Sequence, residues 1–432
     1  MAQIIRPQGG DPHEFFEVVM VADQYGNLVG PSNPSGMAVD AFGRARSSQP
    51  FTLFDSFHRF RDNGKMGEKL SATGATSTHN PDSSSIDLTL DTASGSYAYR
   101  ESNRAFPYQP GKSLQILQTF VMSQPKANLR QRYGYFNTDN GVFLQTNGTE
   151  VSFVIRSKVS GAVVENKVTQ ANWNMDKMDG AGYSGATLDL TKAQILFIDI
   201  EWLGVGSVRV GFVVDGKFLH CHTFHHANVV AAPYMGTACL PVRCEIENTG
   251  ITASPSTLKV ICTTVISEGG FEPRGQVRTA GMPLGSPKDI PTAGTFVPII
   301  SIRLRDDYPD AIAFIKSVQF FGATNNTNYR YKLVSGATLT GASWVQSSDS
   351  AVEYDISATA MSGGIDRRTE YVNVAAGSGA QVSQIDPSDI FRYQLERNIF
   401  APSDKGTIFT LCATGASNGN DALGAIQWEE IT

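Results

Sequence analysis

Residues 191–226, TKAQILFIDIEWLGVGSVRVGFVVDGKFLHCHTFHH, form the longest stretch of apolar and polar alternation in the chain. Apolar residues fill nearly every position of 195–202, as in a strand covered on both faces, and every second position of 208–214. Residues 203–207 and the dipeptide Asp215-Gly216 interrupt the pattern, and Asp-Gly favours the type I′ turn of a β-hairpin. The stretch therefore predicts a three-stranded antiparallel meander at the centre of a β-sandwich or jelly roll.

Strand patterns continue on both sides of this meander, with no helical periodicity between them. Asn147-Gly148 is a hairpin signal between residues 142–145 and 151–156. Further strands are predicted at residues 86–90, 114–122, 243–247 and 258–266. We expect residues 65–268 to form a two-sheet sandwich of the jelly-roll or concanavalin type.

The last third of the chain predicts a second, smaller sandwich. Glycine and proline punctuate residues 269–289, which we interpret as a linker. The domain at 290–432 would contain strands at 297–304, 315–321, 330–334, 352–356, 370–374, 391–397, 408–413 and 425–430. An immunoglobulin-like arrangement is one option, although the Cys…Trp…Cys pattern of true immunoglobulin domains is missing. The fold class expected for the whole chain is all-β.

Composition excludes several function classes. The chain has 432 residues and a formal net charge of −6, so it lacks the basic character of an electrostatic nucleic-acid binder. Its five cysteines have no framework spacing, which indicates a reducing compartment and no disulfide scaffold. We expect no secretory signal in MAQIIRPQGGDPHEFF, no membrane insertion, because no run of eighteen apolar residues occurs, and no cofactor.

One candidate catalytic motif lies inside the meander. Residues 197–201, FIDIE, resemble the E-x-D-x-E strand of concanavalin-like retaining glucanases, and the spacing puts Asp199 and Glu201 on one strand face. The resemblance implies a nucleophilic glutamate at the leading position, where this chain has Phe197. Phenylalanine cannot attack an anomeric carbon. We therefore expect no catalytic residues and no enzyme activity.

The same stretch is rich in histidine. His220, His222, His225 and His226 lie within seven residues, beside Cys221. His220 and His222 would share a strand face and could both reach one Zn²⁺. However, the other nearby thiols, Cys239 and Cys244, do not have the paired spacing of a zinc module. We expect a histidine-rich strand and turn without a metal ion.

Residues 1–64 are predicted to be an extended docking segment, although a flexible tail is the more common alternative for the first forty residues. A strand pair is indicated at 17–22 and 27–29, followed by a Pro- and Ser-rich linker at 31–36. Basic and aromatic residues then interleave from residue 39 to residue 56, and Arg59 and Arg61 follow.

The stretch 40–56, DAFGRARSSQPFTLFDS, resembles a family of virion structural proteins of tailed bacteriophages, including cyanophages, and of some large DNA viruses. The resemblance continues in RYGYFN at 132–137, SKVSG at 157–161, LDLTKAQ at 188–194, WLGVG at 202–206, EIENTG at 245–250, LTGASW at 339–344 and AVEYD at 351–355. It covers most of the chain from about residue 39 onward.

The resemblance implies a particle component with a lectin-like sandwich, and it supplies no catalytic residues. We expect a virion protein, assembled in the host cytoplasm, that contacts other virion proteins as a fibre, decoration, neck or baseplate-associated component. An alternative is a receptor- or carbohydrate-binding module of a tail fibre or spike, in which Trp173 and Tyr183 would line a groove for a host glycan. A glycoside hydrolase is the least favoured class.

The docking segment also predicts oligomerisation. Seven phenylalanines precede Gly64, in a region with too few strands to bury them: Phe15, Phe16, Phe42, Phe51, Phe54, Phe57 and Phe60. Each buries about 150–250 Å² when it is covered. We expect a homo-oligomer, with a trimer favoured, and subunit contacts through Phe42, Arg44, Arg46, Phe51, Phe54, Phe57 and Arg59.

Overall fold

The computed structural model describes residues 3–5, 16–18, 49–308, 311–324, 326–346, 349–375, 380–384, 392–396 and 407–431. The chain divides into two compact units, residues 1–50 and 51–432. In the first unit, β1 (Gln3–Ile5) pairs antiparallel with β2 (Phe16–Val18). Strand β2 overlaps the predicted strand 17–22, whereas the predicted strand 27–29 and the linker 31–36 lie outside the described residues.

The first part of the second unit contains fifteen strands and one 3-10 helix, Gln170–Asn172. The strands are β3 (Phe51–Phe57), β4 (Met66–Leu70), β5 (Ala75–Asn80), β6 (Ser85–Leu90), β7 (Tyr97–Ser102), β8 (Leu114–Val121), β9 (Leu129–Phe136), β10 (Gly141–Asn147), β11 (Glu150–Ser157), β12 (Val164–Thr169), β13 (Gln194–Ile200), β14 (Val208–Val214), β15 (Lys217–Phe224), β16 (Val242–Asn248) and β17 (Ser256–Ser267).

These strands build two antiparallel sheets. The seven-stranded sheet has the order β12-β11-β10-β9-β16-β7-β4, and the eight-stranded sheet has the order β15-β14-β13-β8-β17-β6-β5. The inward-facing side chains of the two sheets pack against each other. For example, the rings of Phe120 on β8 and Tyr133 on β9 are stacked, with centroids 4.5 Å apart. The prediction of an all-β chain with a two-sheet sandwich is confirmed.

The predicted meander is present as β13, β14 and β15. Its hairpin turn is the one that Asp-Gly favours, because Asp215 and Gly216 both have positive φ, 51° and 74°. The expected position was wrong, however. The meander lies at one edge of the eight-stranded sheet, where β15 has no further neighbour among the described strands.

Strand β3 corrects the expected boundary of the docking segment. It pairs with the C-terminal half of β17, while β6 pairs with the N-terminal half of the same strand. Residues 51–57 are therefore part of the sandwich, although the sequence places them in the docking segment, residues 1–64.

The remaining strands form a second pair of sheets. They are β18 (Gln276–Gly281), β19 (Lys288–Ile290), β20 (Val297–Leu304), β21 (Ile312–Gly322), β22 (Thr327–Ser335), β23 (Thr338–Thr340), β24 (Val345–Gln346), β25 (Val352–Asp355), β26 (Ala360–Ser362), β27 (Ile365–Val374), β28 (Ala380–Gln384), β29 (Phe409–Gly415) and β30 (Asn420–Ile431). One sheet has the order β18-β30-β21-β28, with β19 also on β30, and the other has the order β24-β25-β20-β29-β22-β27. Strands β23 and β26 form a separate pair.

Two sequence-based assignments in this half differ from the structure. The expected linker at 269–289 contains β18 and part of β19, because residues 276–281 and 288–290 pair with β30. The strand expected at 391–397 is not formed in the described residues 392–396, which contribute only an isolated bridge from Gln394 to Phe314.

Each sandwich has its own hydrophobic core, and strand β21 contributes to both of them. Ile312 and Phe314 of β21 are buried in the core cluster of the first sandwich, and the rings of Phe314 and Phe271 lie 6.2 Å apart. Polar contacts surround this apolar contact: Arg104 pairs with Glu396 at 2.6 Å, and Gln394 Nε2 donates to the carbonyl oxygen of Ala105 at 2.9 Å. The halves are therefore packed against each other.

Candidate functional site

The outer face of the seven-stranded sheet carries a dense ionic network. Charged residues of β7, β9, β11, β12 and β16 point to this face, away from the core. The pairs are Arg132–Glu245 (3.4 Å), Arg132–Glu165 (3.3 Å), Arg156–Glu165 (2.8 Å), Arg243–Glu101 (2.7 Å) and Arg243–Glu245 (2.6 Å). Burial opposes the charge of Arg243, but Glu245 and Glu101 outweigh this effect and raise the pKa of its guanidinium.

Two phenylalanine rings lie beneath this network. Phe136 and Phe143 are fully buried, with centroids 4.5 Å apart. The guanidinium of Arg156 lies over both rings, at 5.5 and 5.0 Å, and Arg132 lies 5.2 Å from Phe143. The centre of the face is thus filled by the chain's own side chains, whose charges are already paired.

An accessible aromatic area lies beside the network. Tyr97 and Tyr99 on β7 are half-buried and stacked, with centroids 4.8 Å apart. Tyr99 Oη donates to Glu247 at 3.0 Å, and Glu247 also pairs with Arg130. An aromatic surface next to charged hydrogen-bonding groups is the chemistry found in many small-ligand sites.

The candidate catalytic strand does not assemble a pair of free carboxylates. Phe197 is buried on the outer face of the eight-stranded sheet, between Phe218 (5.2 Å) and His220 (5.0 Å). Asp199, on the same face, forms an ion pair with Arg209. Burial raises the pKa of Asp199, although Arg209 opposes this shift. Glu201 follows the end of β13, is exposed, and accepts a hydrogen bond from Ser207 Oγ at 3.1 Å.

His220 and His222 lie on opposite faces of their sheet. The register of β14 and β15 shifts between Val210 and Gly211, so His220 is opposite Gly211 and His222 is opposite Val210. His222 Nδ1 accepts from the backbone N–H of Asn174 at 3.3 Å, and burial lowers its pKa to about 4. The shared face expected for His220 and His222 is therefore wrong. Within the described residues, no group of three or more His, Cys, Asp or Glu could hold a metal ion.

His226 has different neighbours again. Its ring stacks on Tyr234 with centroids 4.0 Å apart, and its Nδ1 lies 2.7 Å from the carbonyl oxygen of Gly206. His225, by contrast, is exposed.

The aromatic residues expected to line a sugar groove are not equivalent. Trp173 is buried in the core, where its ring packs 4.6 Å from Phe153 and its Nε1 donates to the Val168 carbonyl oxygen at 3.3 Å. Trp173 therefore cannot line a groove. Tyr183 is exposed on the loop that follows.

The candidate subunit-contact residues divide into three groups. Phe42, Arg44 and Arg46 lie outside the described residues. Phe54 is buried and packs 4.9 Å from Phe106, and Phe51 is half-buried and packs 6.1 Å from Phe271. Both rings therefore pack against the hydrophobic core of their own chain.

Phe57 and Arg59, the remaining candidates, are exposed together with Phe60 and Arg61. The exposed fractions of Phe57 and Phe60 are 56% and 81%, and the Arg59 guanidinium lies 5.0 Å from the Phe60 ring centroid. We call these four residues the aromatic-basic rim.

Sequence reasoning missed the ionic network and the tyrosine pair. Their signals were present as spacings of two: Tyr97 and Tyr99, Arg130 and Arg132, and Glu245 and Glu247. Such spacing indicates a polar strand face but does not identify which charges meet across strands.

No protein-family model matches the chain, and no curated protein matches it in sequence. Among solved structures it is similar to the carbohydrate recognition domain of Emp47p (9% identity, 53% of this chain and 99% of that chain, TM-score 0.34). It is also similar to a GH16 protein of Bacteroides ovatus solved with a G4G4G3G product (10%, 49% and 99%, TM-score 0.33) and to arcelin-5 of Phaseolus vulgaris (12%, 51% and 99%, TM-score 0.32). At these TM-scores the similarities assign neither a ligand nor an activity. No helix in the described part of the chain is long and apolar enough to cross a bilayer.

Proposed function

We propose that this protein is a non-enzymatic structural component of a bacteriophage virion that acts through protein–protein contacts. The observation that carries the proposal is the aromatic-basic rim. The side chains of Phe57 and Phe60 are exposed, and neither ring belongs to the hydrophobic core of the first sandwich. Aromatic residues and arginine are enriched in protein interfaces, where their burial contributes most of the binding energy.

The partner that fits this rim best is a second copy of the chain, in a homo-oligomer for which a trimer is favoured. Arg59 and Arg61 give the rim a positive charge, whereas the whole chain has a net charge of −6. Another copy therefore offers acidic surface for the two arginines as well as apolar surface for the two rings. The resemblance to tailed-phage virion proteins supports the same assignment.

The test is the mass of the full chain by light scattering at micromolar concentration. We expect an oligomer for the unmodified chain and a monomer for the double variant Phe57→Ser/Phe60→Ser, with unchanged circular dichroism. The matched control is Ile251→Ser, which removes a side chain that is 74% exposed elsewhere on the first sandwich and leaves the oligomer intact. A monomeric full chain, combined with its absence from intact particles by cryo-electron microscopy, would overturn the proposal.

A second candidate function, carbohydrate binding, is favoured by the tyrosine pair. The half-buried rings of Tyr97 and Tyr99 lie beside the Arg130–Glu247 pair, which offers both donors and acceptors to sugar hydroxyl groups. A glycan array tests this function, with Tyr97→Ala as the variant and Tyr183→Ala as the control for a tyrosine exposed elsewhere. Binding that survives Tyr97→Ala, or no binding at all, would exclude this surface.

A further inference from the structure

The outer face of the six-stranded sheet in the C-terminal half carries a second polar and aromatic surface. Strand β22 lies between β27 and β29, and its register places Arg330 opposite Tyr371 on one side and Thr414 on the other. One row further along the same face, Asn328 is opposite Asn373. Directly opposed residues share a sheet face, so these side chains form one continuous area.

Arg330 lies between two aromatic rings in this area. Its guanidinium carbon is 5.6 Å from the ring centroid of Phe296 and 5.6 Å from that of Tyr371. Lys332 Nζ lies 4.4 Å from the Phe296 centroid and is paired with Asp366 at 2.6 Å. Arg330 differs from Lys332 because it forms no hydrogen bond or ion pair with any described residue, and its Nε is buried without an acceptor.

Apart from the exposed Arg59, the other described arginines that lie against aromatic rings have carboxylate partners. Arg303 lies 3.9 Å from the Trp344 ring centroid and donates to Glu353 at 2.6 Å. Arg156 lies over Phe136 and Phe143 and pairs with Glu165. A guanidinium carries five N–H donors, and leaving a buried donor without an acceptor is costly. Arg330 therefore lacks the acceptor that these other sites contain.

We propose that Arg330, Phe296 and Tyr371 form a binding site for a carboxylate-bearing saccharide, such as a uronic or sialic acid residue of a glycan. The fork of a guanidinium matches the two oxygens of a carboxylate, and the flanking rings hold the fork in a fixed orientation. This site is separate from the aromatic-basic rim and does not depend on the proposed structural role.

The neighbouring side chains fit the rest of a sugar. The ring of Tyr371 is 71% exposed and offers an apolar surface to a pyranose face. Asn328 and Asn373 are exposed and hydrogen-bonded to each other at 2.6 Å, so their remaining amide groups can meet hydroxyl groups.

A saccharide fits this area better than an acidic peptide does. An extended peptide binds a sheet mainly by adding a strand at its edge, through main-chain hydrogen bonds. The groups described here lie on the sheet face, where such bonds are not offered. A pyranose ring with one carboxylate can contact all of these groups at once: the carboxylate contacts the guanidinium, the ring face contacts the tyrosine, and the hydroxyl groups contact the amides.

Isothermal titration calorimetry with the full chain tests the site. The probes are trigalacturonic acid and N-acetylneuraminic acid, with neutral galactotriose and a hexaglutamate peptide as comparisons. We expect an acidic saccharide to bind and the neutral one to bind at least about tenfold more weakly, because a charge-assisted bidentate contact is lost. Arg330→Gln should reduce the affinity for the acidic saccharide by a similar factor, and Arg330→Lys by less, because it keeps the charge without the fork.

The matched control is Arg274→Gln, which removes an exposed arginine paired with Glu272 and should leave binding unchanged. Thermal melting establishes that each variant is folded. Equal affinity for acidic and neutral saccharides, equal loss in the Arg274→Gln variant, or no binding of either acidic saccharide overturns the site. Binding of hexaglutamate without either acidic saccharide overturns the assignment to a sugar.

Discussion

Phe197 lies across the backbone of Gly211 on the neighbouring strand, and a Cβ placed on Gly211 would be 2.9 Å from Cε1 of the Phe197 ring. The same Cβ would be closer still to the Leu219 carbonyl oxygen. The ring of Phe197 is thus packed into a space that only glycine leaves open.

We expect Gly211→Ala to lower the free energy of unfolding by about 2 kcal/mol, because the ring and the neighbouring strand must both move. Urea unfolding measures the change. Gly285→Ala is the control, since a Cβ at this position would meet no atom within 4 Å. Equal stability of the two variants would contradict the packing described here.

Arg100 should be essential for stability. Its buried guanidinium donates to both Asp62 oxygens, at 3.0 and 2.8 Å, and to Glu68 at 2.9 Å. Arg100→Met leaves two partly exposed carboxylates without their buried partner, and we expect a loss of about 2 kcal/mol. Lys65→Met breaks the exposed Lys65–Asp55 pair and should change stability by less than about 1 kcal/mol. Thermal unfolding distinguishes the two.

The surroundings of His58 predict that the free energy of unfolding decreases in mild acid. Burial and the charge of Arg100 lower the pKa of His58 from 6.5 to about 4, although Asp62 opposes this shift. Below pH 6.5 the His58 imidazole is therefore protonated in the unfolded chain, whereas in the folded chain it becomes protonated only near pH 4. The free energy of unfolding should fall across this window as the pH decreases, by on the order of 2 kcal/mol from this residue.

The measurement is urea unfolding of wild type and His58→Gln between pH 7 and pH 4. The variant lacks the titrating group, so its stability should fall less steeply with acid. His225→Gln, at an exposed position, should retain the wild-type slope. Parallel curves for wild type and His58→Gln would show that the histidine does not act in this way.

The protein should cleave no glucan. Phe197 is buried, Asp199 is held by Arg209, and Glu201 has no free carboxylate beside it on β13. Glucan cleavage is measured by a reducing-sugar assay with mixed-linkage glucan and laminarin as substrates. A known lichenase is the positive control. Turnover that disappears in Glu201→Gln would refute the prediction.

Local signals explain what could be predicted about the fold. Alternation and turn chemistry within a few residues identified the meander, the Asp215-Gly216 turn and the hairpin at Asn147-Gly148, where Gly148 has φ 62°. The position of the meander at a sheet edge could not be predicted, because it depends on β13 pairing with β8, about 70 residues earlier in the chain.

The sites were less predictable for the same reason. A shift of register at Val210 separates His220 from His222 without any signal in the sequence. The surroundings of Arg330 combine Phe296, which precedes β20, with Tyr371 on β27. A binding site assembled across strands is specified by strand pairing, whereas a single sequence shows only the alternation within each strand.

The pairing of β3 with β17 has a kinetic consequence. Thr264 Oγ1 donates to the Phe54 carbonyl oxygen at 2.9 Å across a separation of 210 residues. Contacts between such distant segments form late, because closing the long intervening loop costs conformational entropy. Folding should therefore be slow. Until β17 has paired with both β6 and β3, unpaired strand edges of the eight-stranded sheet can form hydrogen bonds with strands of other chains. Yield of the folded protein should therefore fall steeply with the rate of synthesis and rise when a chaperone is supplied.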